Sequence, residues 1–554
     1  MKTGRYTMIE QFLRDGIKYM FGNPGTTEQG FLDTLNDYPE FQYILALEES
    51  TAVAIGDGYA RKTKKPAVVQ LHSGVGLGNG IGMMYQAMRG HAPLIVIAGE
   101  AGVKYRALDA HMAADLVEMA KPVTKWATSV VDSSSLLRVM RRAIKMATTP
   151  PMGPVFVCLP MDILDMPNNE DIIPATILDT RTAPRESQLE NVAGILINAE
   201  NPAFLIGDGV ACSEAQSELA QLASLLGAKV WGAEATEINM SAMDPHYQGL
   251  IGHMFGEDSK AALGKSDVVL IVGTYIFPEV FPLLHHPFAF GTKLIHIDLN
   301  AYEIAKNFPV DIGIVSDPKL TLEKLNIVSG NLQTPEQKQA AAQRNEAMIA
   351  EKREQRTLQI RADQNMDDSI PIRPARFMQE LSGKIPKDVI IFDEALTCSP
   401  QLNHYIPGDI SGHFFQTRYF SLGVGIPGAI GVKIAAPEKQ VIGFAGDGAS
   451  MYTIQALWTA SHYNIGAKFV ICNNCSYRIL QNNILRYWNE RDIRPHEFPD
   501  SFFINSPEID FVKLSESMGV PATKVEKPAE IGPAIDRMLN AEGPFLIDLL
   551  VKQD

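Results

Sequence analysis

The stretch Val441-Ile442-Gly443-Phe444-Ala445-Gly446-Asp447-Gly448, separated by the 24 residues 449–472 from Asn473-Asn474, decides how this chain is read. The run Val441–Ala445 reads as a strand buried on both faces and closed by a glycine turn. A helical stretch, Thr453–Tyr463, and a second apolar run, Ala467–Cys472, follow it. The pattern predicts one βαβ unit with parallel strands. Asp447 and Asn474 then stand at the carboxyl ends of two strands, the edge at which open α/β sheets bind ligands. Both side chains are oxygen ligands suited to a hard cation, and the backbone carbonyl of Ser476 is placed to supply a third. Mg²⁺ completes such a shell with phosphate and water. Gly446 and Gly448 let the backbone approach a diphosphate, and the amides of Gly448, Ala449 and Ser450 can turn toward its oxygens.

Gly-Asp-Gly alone carries little. It recurs at 56–58, with no strand before it, and at 207–209, after the short apolar run Ala203–Ile206. Only the copy at 446–448 has the Asn-Asn pair downstream, so the other two are read as ordinary strand-end turns. Working outward, short apolar runs (Tyr43–Leu47, Ala67–Leu71, Pro93–Ala98, Val155–Leu159) alternate with longer amphipathic stretches. This predicts an α/β fold of doubly wound parallel sheets. Two polar, Pro-bearing segments, 166–190 and 329–375, read as connections between domains. The second holds the charged run AAAQRNEAMIAEKREQRTLQIRAD, a solvated helix. Three domains are expected, 1–165, 190–328 and 376–554, with no tight sequence repeat relating them.

Composition sets the class. The 554 residues are 46% hydrophobic, and Lys+Arg 49 against Asp+Glu 64 leaves a net charge of −15. That balance excludes a basic scaffold for nucleic acid or anionic membrane. No apolar run reaches the roughly 18 residues of a transmembrane helix. The start MKTGRYTMIEQF lacks an apolar signal core, and five cysteines make no disulfide framework. A cytoplasmic enzyme without nucleic-acid or membrane partners is expected. Cys472-Asn473-Asn474-Cys475 has C-x-x-C spacing but no further zinc ligands at matching spacing. Gly423-Val424-Gly425-Ile426-Pro427-Gly428 has the spacing of a dinucleotide loop, yet the run before it, 417–422, is a poor buried strand.

The GDG and NN pair resembles the thiamine diphosphate motif. The resemblance covers the whole chain through FGNPGTTE, ILALEES, VQLHSGVGLGNG, PMGPVFVCLP, GVGIPGAIGVKIA, QVIGFAGDGASMYTIQALWTA and GPFLIDLLV. The chain resembles the acetolactate synthase/pyruvate decarboxylase superfamily, and within it the benzoylformate decarboxylase-like members. By this resemblance 1–165 is a pyrimidine-binding domain, 190–328 a central Rossmann-like domain, and 376–554 a diphosphate- and Mg²⁺-binding domain. The metal ligands are implied to be Asp447, Asn474 and the Ser476 carbonyl. Leu422 is implied to wedge under the cofactor and Gly423 to hug its aminopyrimidine, with Tyr477 a further cofactor contact.

Thiamine chemistry needs a carboxylic acid on the pyrimidine ring, where it promotes the imino tautomer that removes the thiazolium proton. Glu49 matches the family's catalytic glutamate. Its neighbour Glu48 is the rival, since adjacent residues at a strand end point opposite ways. His72, at the end of Ala67–Leu71 and before a Gly-rich loop at 74–80, matches the acid–base histidine of the benzoylformate-type enzymes. Asn23, Pro24 and Gly25 are implied to line the pocket, and Thr26 takes the place of a serine that binds the substrate carboxylate. His111, Leu396 and Leu480 complete the expected pocket, and Asn483 replaces an aromatic. The second histidine of the benzoylformate-type enzymes has no match in 273–281, and His285 and His286 have no assigned place. No flavin-binding run follows Gly273, so FAD is not predicted. The implied function is non-oxidative decarboxylation of a 2-oxo acid, with carboligase activity. The implied assembly is a homodimer or homotetramer whose sites lie at the subunit interface. Acetolactate synthase-type carboligation, 2-hydroxyacyl-CoA cleavage and flavin or nicotinamide oxidoreduction are the alternatives.

Overall fold

A computed structural model of the chain describes residues 2–233, 236–365, 369–417 and 421–552. Three of the residues in the run before Gly423, 418–420, lie outside the described ones. Among the described residues eighteen strands form three six-stranded sheets. The first holds β1 (Tyr19–Gly22), β2 (Gln42–Leu45), β3 (Ala67–Leu71), β4 (Leu94–Glu100), β5 (Ala127–Ser129) and β6 (Val155–Pro160), in the order β2-β1-β3-β4-β6-β5. The second holds β7 (Pro202–Ile206), β8 (Lys229–Ala233), β9 (Tyr247–Ile251), β10 (Val268–Val272), β11 (Lys293–Asp298) and β12 (Ile312–Val315), in the order β12-β11-β10-β7-β8-β9. The third holds β13 (Ile390–Glu394), β14 (Phe414–Gln416), β15 (Val441–Gly446), β16 (Lys468–Asn473), β17 (Ala522–Val525) and β18 (Phe545–Leu550), in the order β14-β13-β15-β16-β18-β17. The first and third sheets thus share one strand order, and the second has the order of dinucleotide-type doubly wound sheets. The central strands β3, β4, β10, β15 and β16 are buried along their whole length, as parallel strands covered on both faces must be. No described helix is long and apolar enough to cross a membrane.

The chain divides into two compact units. One comprises Met1–Leu178, Asp367–Tyr405 and Thr417–Asp554, the other Asp179–Met366 and Ile406–Gln416. In the second, the charged run forms the helix Pro335–Gln364, started by a capping box between Thr334 and Gln337. Most of its surface is solvated, but it is no free span. Arg344 donates to the carbonyls of Leu226 (2.6 Å) and Gly227 (3.2 Å), and Lys352 to that of Tyr247 (2.6 Å).

In the first unit, the helix Glu49–Thr63 packs on the helix Gly425–Ala435 with their backbones in direct contact. A Cβ on Gly58 would lie 2.2 Å from the Gly428 carbonyl oxygen, and one on Gly431 would lie 2.0 Å from that of Ile55. Gly56-Asp57-Gly58 is therefore helix interior and not the strand-end turn expected of it. Asp57 faces Arg61 one turn on, at 3.6 Å, both buried. Of the glycines at 423–428, Gly428 serves this packing, whereas a Cβ at Gly425 would meet the Phe444 carbonyl oxygen at 2.3 Å. The expected loop at 74–80 is also corrected: these residues lie in the helix Ser73–Arg89. Glycine disfavours a helix by about 1 kcal/mol each. Here tertiary packing overrides that cost, because a Cβ at Gly76 would lie 2.7 Å from the Glu49 carboxylate and one at Gly80 would press on Leu71 at 3.0 Å.

This packing separates two kinds of glycine. Gly431→Val is expected to destabilise the first unit by roughly 1–3 kcal/mol, the cost of overpacking. Gly194→Ala, at a helical site with nothing within 4 Å, should be neutral or stabilise by up to about 1 kcal/mol. Thermal melts of the two variants read both signs.

Candidate active site

The site residues collect at the carboxyl ends of β1, β3 and β4 in the first sheet and of β13, β15 and β16 in the third. In both sheets this is where strand order reverses and loops diverge. At the end of β15, Asp447 is 4% exposed. Its Oδ1 accepts from the Gly448 amide (2.7 Å) and its Oδ2 from the Asn474 amide (3.1 Å). Burial raises its pKa to about 6 against these backbone donors, which lower it. The Asn474 amide oxygen accepts from the Ser476 amide (3.0 Å) and hydroxyl (3.1 Å), and the Ser450 hydroxyl donates to the Asp447 carbonyl (2.8 Å). Asn473 is held apart by Asp548, at 3.0 Å from its amide nitrogen. Tyr477 lies over Gly448, where a Cβ would meet its ring at 2.5 Å, and Leu396 faces Gly446. The structure thus brings Asp447, Asn474, Ser476, Gly446, Gly448, Ala449, Ser450, Tyr477 and Leu396 into one cluster. A cavity of 90 Å³ beside Asn474 is lined by Thr397, Gln401, Arg373, Arg478 and Lys552.

A buried carboxylate, an amide oxygen and a glycine cradle fit a hard cation and a phosphate group. Among the described residues no group of three His, Cys, Asp or Glu side chains that could hold a metal ion is found. Cys472 of the C-x-x-C pair is buried beside Cys398.

Glu394, at the end of β13, was not singled out in the sequence. It is 1% exposed, and its two oxygens accept from the amides of Gly423 and Gly425 at 2.7 Å each. Burial raises its pKa to about 7. It shapes the turn that presents Gly423 and the half-buried Leu422.

In the first sheet the strand expected to run to Leu47 ends at Leu45, and the helix begins at Glu49. Glu48 is the N-cap: its carboxylate accepts from the amides of Ser50 (2.9 Å) and Thr51 (3.0 Å). Glu49 turns the other way, 7% exposed, and accepts from the Asn79 side chain at 3.0 Å. His72 caps β3. Its Nδ1 lies 2.9 Å from Glu28 and its ring covers Gly25, where a Cβ would sit 2.0 Å away. Glu28 was missed because only the sheet brings the end of β1 beside that of β3. Asn23 is half-buried and its carbonyl accepts from Gln70 at 3.2 Å. Pro24, Thr26 and His111 are exposed, and Leu480 is 42% exposed on the helix Arg478–Glu490.

In the second unit, Asp208 of the 207–209 copy ties the end of β7 to the segment after β8, accepting from Thr236, Glu237 and Asn239. His253 stands beside the histidine-free stretch, its carbonyl accepting from Val280 at 3.1 Å, and burial lowers its pKa. His286 packs edge-on to Phe288 and Phe308, and His285 is exposed.

Comparison with known proteins agrees in every part of the chain. Residues 2–120, 189–325 and 397–549 match the N-terminal TPP-binding, central and C-terminal TPP-binding domains of thiamine pyrophosphate enzymes. A benzoylformate decarboxylase from Pseudomonas aeruginosa is 28% identical over 99% of both chains. A chloroplastic acetolactate synthase from Arabidopsis thaliana is 26% identical, over 99% of this chain and 81% of that protein. The solved structure of the Rhodococcus jostii thiamine diphosphate-dependent 4-hydroxybenzoylformate decarboxylase superposes with a TM-score of 0.86 at 25% identity, covering 100% of this chain and 99% of that one.

A carboxylate whose pKa is raised on folding favours the folded state most at low pH. Asp447 should therefore cost the metal-free protein stability as pH rises from its ordinary value near 3.8 through about 6. The loss is on the order of 3 kcal/mol. Asp447→Asn should melt higher than wild type at pH 8 without metal, and added MgCl₂ should raise the melting temperature of wild type alone. Thermal scans between pH 4 and 8 check this.

Proposed function

Because the chain belongs to the thiamine pyrophosphate enzymes, we propose that it is a cytoplasmic, Mg²⁺-dependent decarboxylase of a 2-oxo acid that also ligates carbonyl compounds. The observation that carries the decarboxylase reading is His72 at the end of β3, engaged through Nδ1 and free of hydrogen bonds at Nε2 among the described residues. The benzoylformate and 4-hydroxybenzoylformate decarboxylases among its relatives support it. Asp447, Asn474 and the Ser476 carbonyl would hold Mg²⁺. Gly446, Gly448, Ala449, Ser450 and Tyr477 would hold the diphosphate, with the cationic cavity beside Asn474 adding positive potential. Leu422 and Gly423 would seat the rings. When bound, the cofactor would supply a carbon nucleophile, formed by loss of the thiazolium proton, and an electron sink for decarboxylation.

The chain's own groups then divide the work. Glu49 would hold a proton against the pyrimidine, freed from competition because Glu48 is spent as a cap. His72 would move a proton at the substrate oxygen, and the Thr26 hydroxyl would bind the substrate carboxylate. Asn23, Pro24, Gly25, His111, Leu396 and Leu480 would wall the pocket. None of the five cysteines is in a disulfide, which suits a reducing compartment. A second reading, carboligation as in the acetolactate synthase relative, is favoured by a match over 99% of this chain.

A homodimer or homotetramer is proposed, with Glu49 of one chain serving the partner's Asp447. The helix Ser73–Arg89 leaves room for such a neighbour. Val75 is 67% exposed, and a Cβ added at Gly78 or Gly82 would meet nothing within 4 Å.

Two experiments test the proposal. A panel of 2-oxo acids, with and without acceptor aldehydes, should give carbon dioxide and an aldehyde in the presence of thiamine diphosphate and Mg²⁺. Condensation of pyruvate with no free aldehyde would move the assignment to the second reading. Glu49→Gln and Asp447→Ala chains should each be inactive, the former by about 10²–10⁴-fold. Co-refolded mixtures should regain part of the activity, and mixtures that exchange chains yet stay inactive rule out shared sites.

A further inference from the structure

His72 is held by a hydrogen-bond chain whose direction is fixed at its far end. The Gly99 amide, in β4, can only donate, and it donates to Glu28 Oε1 at 2.9 Å. The Thr27 hydroxyl donates to that same oxygen at 2.6 Å, so its one proton is committed. Glu28 Oε2 then faces His72 Nδ1 at 2.9 Å, and Thr27 Oγ1 faces the same nitrogen at 3.4 Å. Both oxygens that meet Nδ1 are acceptors. Glu28 is 5% exposed, so water does not compete for its carboxylate, whereas a fifth of the His72 side chain is open. The ring lies directly against Gly25, where a Cβ would sit 2.0 Å from Nδ1. Three neighbouring strand ends, those of β1, β3 and β4, supply the parts.

We infer that Glu28 is a positioning residue for His72: it fixes the neutral imidazole as the Nδ1–H tautomer and leaves the Nε2 lone pair on the open side. Nε2 is then ready to accept a proton, and in the protonated ring it is the nitrogen that donates one back. The inference rests on the acid–base reading of His72 but makes a claim that can be measured without turnover.

The anchor also predicts what an isosteric variant does. In Glu28→Gln the side-chain oxygen stays where Gly99 and Thr27 donate, so the new amide NH₂ turns toward Nδ1. Nδ1 must then accept, and the ring proton moves to Nε2. The test is nitrogen NMR of protein labelled at its 12 histidines, at a pH where the ring is neutral, with His72 assigned by its loss in His72→Ala. Wild type should show Nδ1 protonated and Nε2 bare, and Glu28→Gln should show the reverse. Decarboxylation by Glu28→Gln should fall about 10²-fold in kcat, with thiamine diphosphate affinity by calorimetry unchanged. An Nε2–H ring in wild type, or the same tautomer in both proteins, overturns the inference, and the first of these needs no variant to fold. Full activity in His72→Ala would instead remove the acid–base reading while leaving the tautomer result standing.

Discussion

The contact between the helices Glu49–Thr63 and Gly425–Ala435 is the constraint on which the first unit depends. It is made backbone to backbone at Gly58, Gly428 and Gly431. No side chain lies between that could rearrange, so the relative position of the two helices is set by atoms without rotamers. Arg61, 2% exposed, is buried beside this contact, with Asp57 one turn away and the Phe392 ring 5.6 Å from its guanidinium. A buried charge of this kind is costly to leave unpaired. Each helix also starts at a candidate site. One begins with Glu49 behind its cap, and the other begins at Gly425, whose amide is bound by Glu394. Fixing the helices therefore fixes both.

The third sheet concentrates carboxylates at one edge. Asp447 and Asp548 are raised by burial to about 6 and Glu394 to about 7. They differ in how they are answered. Glu394 meets two backbone amides and Asp548 an asparagine, so both are satisfied within the chain. Asp447 also receives backbone amides, but it shares its surroundings with the Asn474 oxygen and the cationic cavity. That company is what distinguishes a carboxylate suited to a cation from one suited to shaping a turn.

Much of this was legible in the sequence because it is local. Apolar runs bounded by glycine fixed β15 and β16, and the distance between Gly446-Asp447-Gly448 and Asn473-Asn474 placed both at one sheet edge. The choice between Glu48 and Glu49 was posed from strand alternation, but the strand ends at Leu45, and it is the helix start, with Glu48 as its cap, that turns the two side chains apart. What the sequence hid is non-local. Glu28 gains meaning only beside His72, 44 residues on, and Glu394 only beside Gly423 and Gly425. The glycines at 56–58 and 74–80 misled for a related reason. Local propensity reads glycine as turn or loop, whereas here it makes room for a neighbouring helix backbone or a carboxylate.

The first and third sheets share one strand order, so their edges correspond position by position. His72 follows β3 and Asp447 follows β15, the same place in each sheet. Asn23 follows β1 where Ala395 follows β13. One backbone plan therefore carries an imidazole–carboxylate pair in one copy and an oxygen-ligand cluster in the other. Strand packing and loop chemistry are separable in such a scaffold. Interior residues answer to folding alone, and the few positions just past each strand can be rewritten without altering the path of the chain. Divergence of substrate preference among relatives only about a quarter identical to this chain needs no change of architecture, only new residues at the tips of an inherited frame.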